Sequence, residues 1–328
     1  MRRAALDVGI TTNLPMEHIL KIASFAERSS AYGIWIGEDI NRRYDIFSLT
    51  SAVMLNAPSK TVGIGVTSPA IHNITTIARA AAALEQTAPG RFRLGIGVGG
   101  LQDLARNGIT VEKPVAMLRD ASETLRNIWR GSTINQKGKT FQLKSYAARY
   151  KLAQPIPLHF GVRGPKLLRL ASRVADGVIL SGPLPYIQRA ISTIKSAVPD
   201  RSLAGDFRFT VWLPTLIVGK RTSKKFAKVV AATVIADTTA EVFDLAGISE
   251  PAIEKIQRTA RRRDYQAAAK YVTEKLLDSF TISGNPRQVC EVFHSIQELG
   301  ADEVVFGPPY GHPILKAIDE VVKTWARA

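Results

Sequence analysis

Arg93-Leu94-Gly95-Ile96-Gly97-Val98-Gly99-Gly100 is the stretch on which the fold turns. Gly95 to Gly100 match G-x-G-x-x-G, the pattern in which glycines bring backbone close to a pyrophosphate at a helix N-terminus of a doubly wound sheet. That pattern belongs to the first strand of such a sheet. Here three strand-helix units precede it, with β-branched runs at residues 6–10, 34–36 and 62–66, and no clean helix entry is expected after Gly100. The stretch therefore reads as a fourth strand, 93–97, whose glycines mark a strand end.

Working outward, four more short runs follow at 158–160, 177–180, 209–218 and 303–306. Helical patterns separate the strands. Ile19, Ile22, Ala23 and Ala26 share one face, and an Ala-rich stretch runs from Asn73 to a Pro89-Gly90 stop. Eight strands alternating with helices predict an α/β fold, a (β/α)8 TIM barrel. Two irregularities interrupt it. Residues 131–155, after a helix at 115–129, carry a hairpin with its tip at Gln136-Lys137-Gly138-Lys139. Residues 220–300, between the seventh and eighth strands, hold several helices over 223–277, then Phe280-Thr281-Ile282-Ser283-Gly284 and a helix opening at Asn285-Pro286. Residues 1–328 are expected to form one barrel domain, with the second insertion a candidate lid or substrate wall.

The composition narrows the function. With 328 residues, 45% of them hydrophobic, the chain can bury one large core. No apolar run is long enough for a membrane span, and Asp7 interrupts the N-terminus before any signal-type stretch, so a soluble, cytoplasmic protein is expected. A formal net charge of +16 favours anionic partners. Its densest parts, residues 220–228 and Arg261-Arg262-Arg263, read as solvated helical faces. Aromatic residues make up only 7% of the chain, which is too few for a stacking nucleic-acid surface. The one cysteine, Cys290, sits at helical spacing with Val289, Phe293 and Ile296 and reads as a buried thiol. The histidines at 18, 72, 159, 294 and 312 show no metal spacing, and H-E-x-x-H and G-x-S-x-G are absent. Gly138-Lys139-Thr140 lacks a phosphate loop's first glycine, because Thr133 stands there.

Barrel enzymes place their chemistry just after the strands. Gly161-Val162-Arg163-Gly164-Pro165 leads into a helix carrying Leu167, Leu168, Leu170 and Ala171. A glycine loop, a helix N-terminus and an arginine make a physically sound phosphate cradle. A plain tight turn has the same spacing. Glu38 and Asp39 follow the second strand, where a carboxyl group could move a proton; His72 and His312 follow the third and eighth and read as polar surface residues. With neither a metal nor an activated nucleophile, a glycine-lined mouth points to a cofactor that brings its own chemistry.

Several separated motifs occur together in one order: Gly65-Val66-Thr67-Ser68-Pro69, Gly90-Arg91-Phe92-Arg93-Leu94-Gly95-Ile96-Gly97-Val98-Gly99, Phe160-Gly161-Val162-Arg163-Gly164-Pro165 with Ala175-Asp176-Gly177-Val178, and Phe306-Gly307-Pro308-Pro309-Tyr310-Gly311. The chain thereby resembles, nearly end to end, the luciferase-like superfamily of flavin- and deazaflavin-dependent oxidoreductases, and within it the methylenetetrahydromethanopterin reductases. The resemblance implies a barrel that binds coenzyme F420, with FMN as the alternative cofactor of a luciferase-like monooxygenase. It implies a bulge with a cis peptide at Gly65-Val66. Cofactor contacts are expected at Gly65, Val66, Thr67, Gly97, Gly99, Gly161, Val162, Arg163, Gly164 and Ser181. Glu38 or Asp39 is the candidate for protonating a pterin nitrogen during hydride transfer to a methylene carbon.

The same resemblance implies a small anionic tetrahydropterin as substrate, no nucleic-acid or membrane partner, and a homo-oligomer. Two positions depart from the reductase pattern. Those reductases carry an acid after the first strand, where this chain has Thr11 and Thr12, and another after the strand-four glycines, where it has Gly100. The acidic surroundings of a bound pterin are thereby altered.

Overall fold

A computed structural model describes residues 3–41, 43–137, 141–197, 207–219, 222 and 224–328. The chain begins β1 (Ala5–Thr11), α1 (Met16–Glu27), β2 (Gly33–Gly37), α2 (Ile46–Asn56), β3 (Thr61–Thr67), α3 (Ile74–Thr87) and β4 (Phe92–Gly97). It continues through α4 (Leu101–Arg106), α5 (Pro114–Trp129), the hairpin β5 (Ile134–Lys137) and β6 (Gln142–Tyr146), then β7 (Leu158–Gly161), α6 (Pro165–Val174), β8 (Gly177–Leu180) and α7 (Leu184–Ala197). After β9 (Arg208–Ile217) come α8 (Lys224–Ala236), α9 (Ala240–Ala246), α10 (Ala252–Arg261), α11 (Tyr265–Ala269) and α12 (Glu274–Phe280). β10 (Ile282–Gly284), α13 (Pro286–Glu298), β11 (Glu303–Tyr310) and α14 (Ile314–Arg327) complete it.

Eight parallel strands run in the order β9-β11-β1-β2-β3-β4-β7-β8, and pairing of β8 with β9 closes the ring. This is the barrel expected from the strand count. Two boundaries differ from the sequence reading. A helix does open directly after Gly100, because α4 starts at Leu101, although it is only six residues long and Gly100 supplies no capping side chain. The run Ile282–Gly284 is a short strand that pairs parallel with Thr215–Ile217, outside the ring. The hairpin pairs antiparallel through Gln136↔Leu143 and Lys137↔Gln142, while the predicted tip residues Gly138 and Lys139 lie outside the described residues.

Strand alternation sorts the side chains into two layers. Leu6, Val8, Ile10, Ile34, Ile36, Val62, Ile64, Leu94 and Ile96 face outward and join the helices in the main core. Their neighbours point into the barrel. At the floor lie Asp7, Arg93, His159, Thr210 and Glu303, all buried; above them Trp35, Trp212, Ile179, Val305 and Val66 form a separate apolar cluster. The inward glycines make room for it. A methyl group on Gly63 would strike the Trp35 ring, and one on Gly9 would lie 2.6 Å from Trp212 Cζ2. Part of the glycine content at strand ends thus accommodates two tryptophans.

Helices α8 to α12 have an apolar centre of their own, including Ala231, Ile235, Phe243, Ile256, Leu277 and Phe280. The Phe243 and Phe280 rings meet edge-on with centroids 5.7 Å apart. Ser223, where this stretch was expected to begin, and the basic Lys220 and Arg221 lie outside the described residues. Cys290 is buried on α13, where desolvation pushes its thiol up to about 11. Among the described residues, no helix is long and apolar enough to cross a membrane.

Candidate active site

A cavity of about 650 Å³ opens at the C-terminal ends of the barrel strands, within the size range of small-molecule sites. Every barrel strand or the loop after it reaches this cavity: Thr11, Glu38, Gly65 and Val66, Gly99, Gly161 to Arg163, Ser181, Trp212 and Pro308. The α8–α9 segment adds Asp237, Thr239 and Glu241. The expected lid region therefore does supply part of the wall.

At one side lies β3. Its pairing with β4 slips between Ile64 and Thr67, and the Gly65-Val66 peptide is cis, as the family resemblance implied. Val66 is wedged between strands: a methyl group on Gly161 would lie 2.6 Å from Val66 Cγ1, and one on Gly97 2.8 Å from Val66 Cγ2. Gly97 lies behind the wall, since a methyl group there would also come 2.7 Å from the Gly161 carbonyl oxygen. Its absent side chain lets β4, β7 and the bulge close together.

The loop Gly161 to Gly164 meets the N-terminus of α6, where Pro165 takes the first turn and no side chain caps the helix. Gly164 has φ +78°, a left-handed conformation that favours glycine. Arg163 is half-buried and lines the cavity; its Nη1 donates to the Asp237 carbonyl at 3.4 Å. Burial holds the guanidinium pKa below its ordinary value. The helix dipole and the Arg163 guanidinium favour negative charge here, and the Glu241 carboxylate already lies against Gly164, its Oε2 2.5 Å from where a methyl group would sit. The neighbouring Asp237 carboxyl is raised by burial and by Asp103, and its Oδ1 has no hydrogen-bond partner. Tyr186 supports the loop from below through the Val162 carbonyl, and burial pushes its hydroxyl up to about 12.

After β2 the structure separates the two acids that the sequence could not. Glu38 lines the cavity with a side chain only 6% exposed. Asp39 instead organises its own loop, its Oδ1 accepting from the Asn41 amide at 3.2 Å and its backbone amide donating to Thr12 Oγ1 at 2.8 Å. Thr67 lies behind the cavity wall and donates its hydroxyl to Glu38 Oε2 at 2.7 Å. His72, which the sequence reading set aside, places Nε2 2.6 Å from Glu38 Oε1. Its spacing after strand three was a visible signal, but its partner lies 34 residues away in the chain. His312 is not among the cavity residues; its backbone amide donates to Thr222 Oγ1.

Of the predicted contact residues, Gly65, Val66, Gly99, Gly161, Val162, Arg163 and Ser181 line one cavity with Glu38, while Thr67 and Gly97 support it from behind and Gly164 packs against Glu241 of the lining. Trp212, Ile179 and Pro214 also line it and were not nominated from sequence. Among the described residues, no cluster of His, Cys, Asp and Glu could hold a metal ion.

Comparison with known proteins places this geometry. A family model described as luciferase-like monooxygenase matches residues 3–303. The 5,10-methylenetetrahydromethanopterin reductase of Archaeoglobus fulgidus is 30% identical over 315 residues, covering 94% of this chain and 93% of the relative. Among solved structures, the coenzyme F420-dependent tetrahydromethanopterin reductase of Methanopyrus kandleri superposes with a TM-score of 0.86 at 20% identity, over 99% of both chains. An F420-dependent secondary alcohol dehydrogenase, in complex with an F420-acetone adduct, superposes with a TM-score of 0.81 at 15% identity, over 98% of both chains.

Proposed function

Because this chain belongs to the luciferase-like monooxygenase family, we propose that it is a coenzyme F420-dependent oxidoreductase, reducing a C1-pterin such as 5,10-methylenetetrahydromethanopterin to the methyl compound. The relative that is 30% identical over 94% of the chain carries that reductase name, and the site is compatible with it. The observation that carries the reading is one cavity with an anion cradle at Arg163 and a buried, hydrogen-bonded carboxyl at Glu38. Whole-chain likeness includes the solved reductase structure, which supports the fold on which the proposal rests.

The residues fit the cofactor. An anionic side chain suits the loop from Gly161 to Gly164, with Arg163 and the first turn of α6 holding the phosphate. The apolar surface of Val66, Ile179 and Trp212 suits a flat ring system. When bound, the reduced deazaflavin supplies a hydride. The protein supplies orientation and exclusion of water, and Glu38 holds the proton for the pterin nitrogen whose bond to carbon breaks. Thr67 fixes one oxygen of that carboxyl group.

The placing of acidic residues in the lining sets this site apart from the reductase pattern. Thr11 and Gly100 line the cavity where that pattern has acids, and Asp237 and Glu241 line it from the inserted helices instead. We extend the proposal to the chain as one barrel domain, to assembly as a homo-oligomer and to a cytoplasmic location, as for the resemblance above.

Titration of the purified protein with coenzyme F420 and, separately, with FMN tests the reading by absorbance and fluorescence. Preferred binding of F420, followed by pterin-dependent oxidation of its reduced form, is the expected result. Preference for FMN would replace the reading by a monooxygenase, and binding of neither would overturn both.

A further inference from the structure

Glu38 is nearly closed off from solvent, so a neighbour that reaches solvent offers a route for replacing a proton given to a bound substrate. Two groups touch its carboxyl oxygens in the structure: the Thr67 hydroxyl, 2.7 Å from Oε2, and the His72 ring, 2.6 Å from Oε1. A threonine hydroxyl does not accumulate charge near neutral pH, whereas an imidazole does. His72 is also the more open of the pair, with its side chain 19% exposed against 6% for Glu38.

We propose that His72 is a positioning residue that orients Glu38 and reloads it with a proton from solvent after each turnover. The proposal rests on the reductase reading above. In the step, the methylene carbon gains a hydride from the reduced deazaflavin, and the carbon–nitrogen bond breaks with its electron pair left on nitrogen. That nitrogen takes its proton through Glu38: the Nε2 proton of His72 passes to the Glu38 carboxylate, which delivers it to the nitrogen, and His72 takes one from water. The proton shed on oxidation of the deazaflavin balances the last transfer.

The surroundings of His72 suit this role. Two carboxylates face it, Glu38 at the end of β2 and Asp45 at the N-terminus of α2, while the Phe47 ring of α2 meets the imidazole edge-on at 5.3 Å. Its backbone amide is held by the Ser68 carbonyl after β3. The hydrogen bond to Glu38, aided by both carboxylates and opposed by partial burial, raises the imidazole above its ordinary pKa of 6.5. The shift favours the protonated imidazole more than in an ordinary histidine.

Two measurements test the pair. In the cofactor-free protein, the His72 Cε1 proton resonance is followed against pH in the wild type and in Glu38→Gln. The expected result is a wild-type midpoint above that of an ordinary histidine, falling in the variant; a midpoint at or below the ordinary value, or one that the variant leaves unmoved, overturns the proposal. In steady-state reduction of methylenetetrahydromethanopterin, His72→Gln and His72→Asn are expected to lower kcat at least about tenfold, with F420 affinity unchanged, the His72 limb of the pH profile lost, and partial rescue by added imidazole. Unchanged kcat and pH profile overturn it. A wild type that binds F420 but reduces no pterin overturns the reductase reading instead, and the relay is then decided by the resonance titration alone.

Discussion

Arg93 and Glu303, 210 positions apart in the chain, meet at the barrel floor with Arg93 Nη1 2.6 and 2.7 Å from the two carboxylate oxygens. Around them the network is dense. The guanidinium also donates to Thr61 Oγ1 at 3.2 Å and lies over the Trp35 ring at 4.3 Å, while Thr210 donates to Glu303 at 2.9 Å. Trp35 Nε1 in turn donates to Asp7 at 2.9 Å. Burial and the Glu303 charge hold the Asp7 carboxyl above its ordinary pKa, whereas Arg93 helps to hold Glu303 below its own.

Removing the cation strands the carboxylates beneath the active site. Arg93→Met is expected to destabilise the fold by about 3–5 kcal/mol, the usual loss when one partner of a buried pair is deleted. Replacing Glu303 by Leu in the same chain should recover much of that loss. Urea unfolding of the single and double variants measures both, and a single variant as stable as the wild type would refute the account.

His159 predicts an acid-side dependence of stability. It is buried among the same groups, its ring edge-on to Trp35 at 5.2 Å, and burial with the nearby Arg93 charge pushes its pKa down to about 3 from an ordinary 6.5. Between those values the unfolded chain takes up a proton that the folded chain refuses, so acidification favours unfolding. The raised Asp7 carboxyl works in the opposite direction but is common to both proteins compared. Relative to His159→Phe, the wild type should lose about 1.4 kcal/mol per pH unit as pH falls through that window. Parallel stability curves for the two proteins would contradict this.

Gly161 should matter more for binding than its size suggests. An added methyl group meets the stiff Val66 side chain at 2.6 Å, so Gly161→Ala must displace the β3 bulge or the cradle loop. F420 affinity is expected to fall roughly tenfold or more, with a stability loss of about 1–3 kcal/mol. Fluorescence titration beside thermal unfolding separates the two effects.

Arg163 is the charged member of the proposed cradle. Its replacement by Met should weaken F420 binding about 10- to 100-fold, the range for a charge-assisted hydrogen bond to an anion, and should flatten the salt dependence of the remaining affinity. Binding at two ionic strengths provides the check. An unchanged salt slope would move the anion site elsewhere.

Much of this architecture was legible locally. Short apolar runs mark β1 to β4, β7 to β9 and β11 because a parallel strand covered by helices needs apolar residues on its outer face. Asn73 and Asn285 mark helix starts because their side chains cap free amides. The glycine loop from Gly161 to Gly164 and the helix it opens were readable because loop, proline and helix are contiguous. The short strand at Ile282–Gly284 and the helix opening at Leu101 were not, since three and six residues carry too little periodicity.

The sequence by itself determined the count of barrel strands, their alternation with helices, and the residues that lie at strand ends, because each depends on periods of two and 3.6 within a few residues. Only the closed barrel decided which of those residues meet. It set Glu38 rather than Asp39 into the cavity, brought His72 and Thr67 to its carboxyl oxygens, and packed Gly9 and Gly63 against tryptophans. These contacts are fixed by strand register across the ring, where a shift of one residue turns each inward side chain outward, and no local pattern encodes that register.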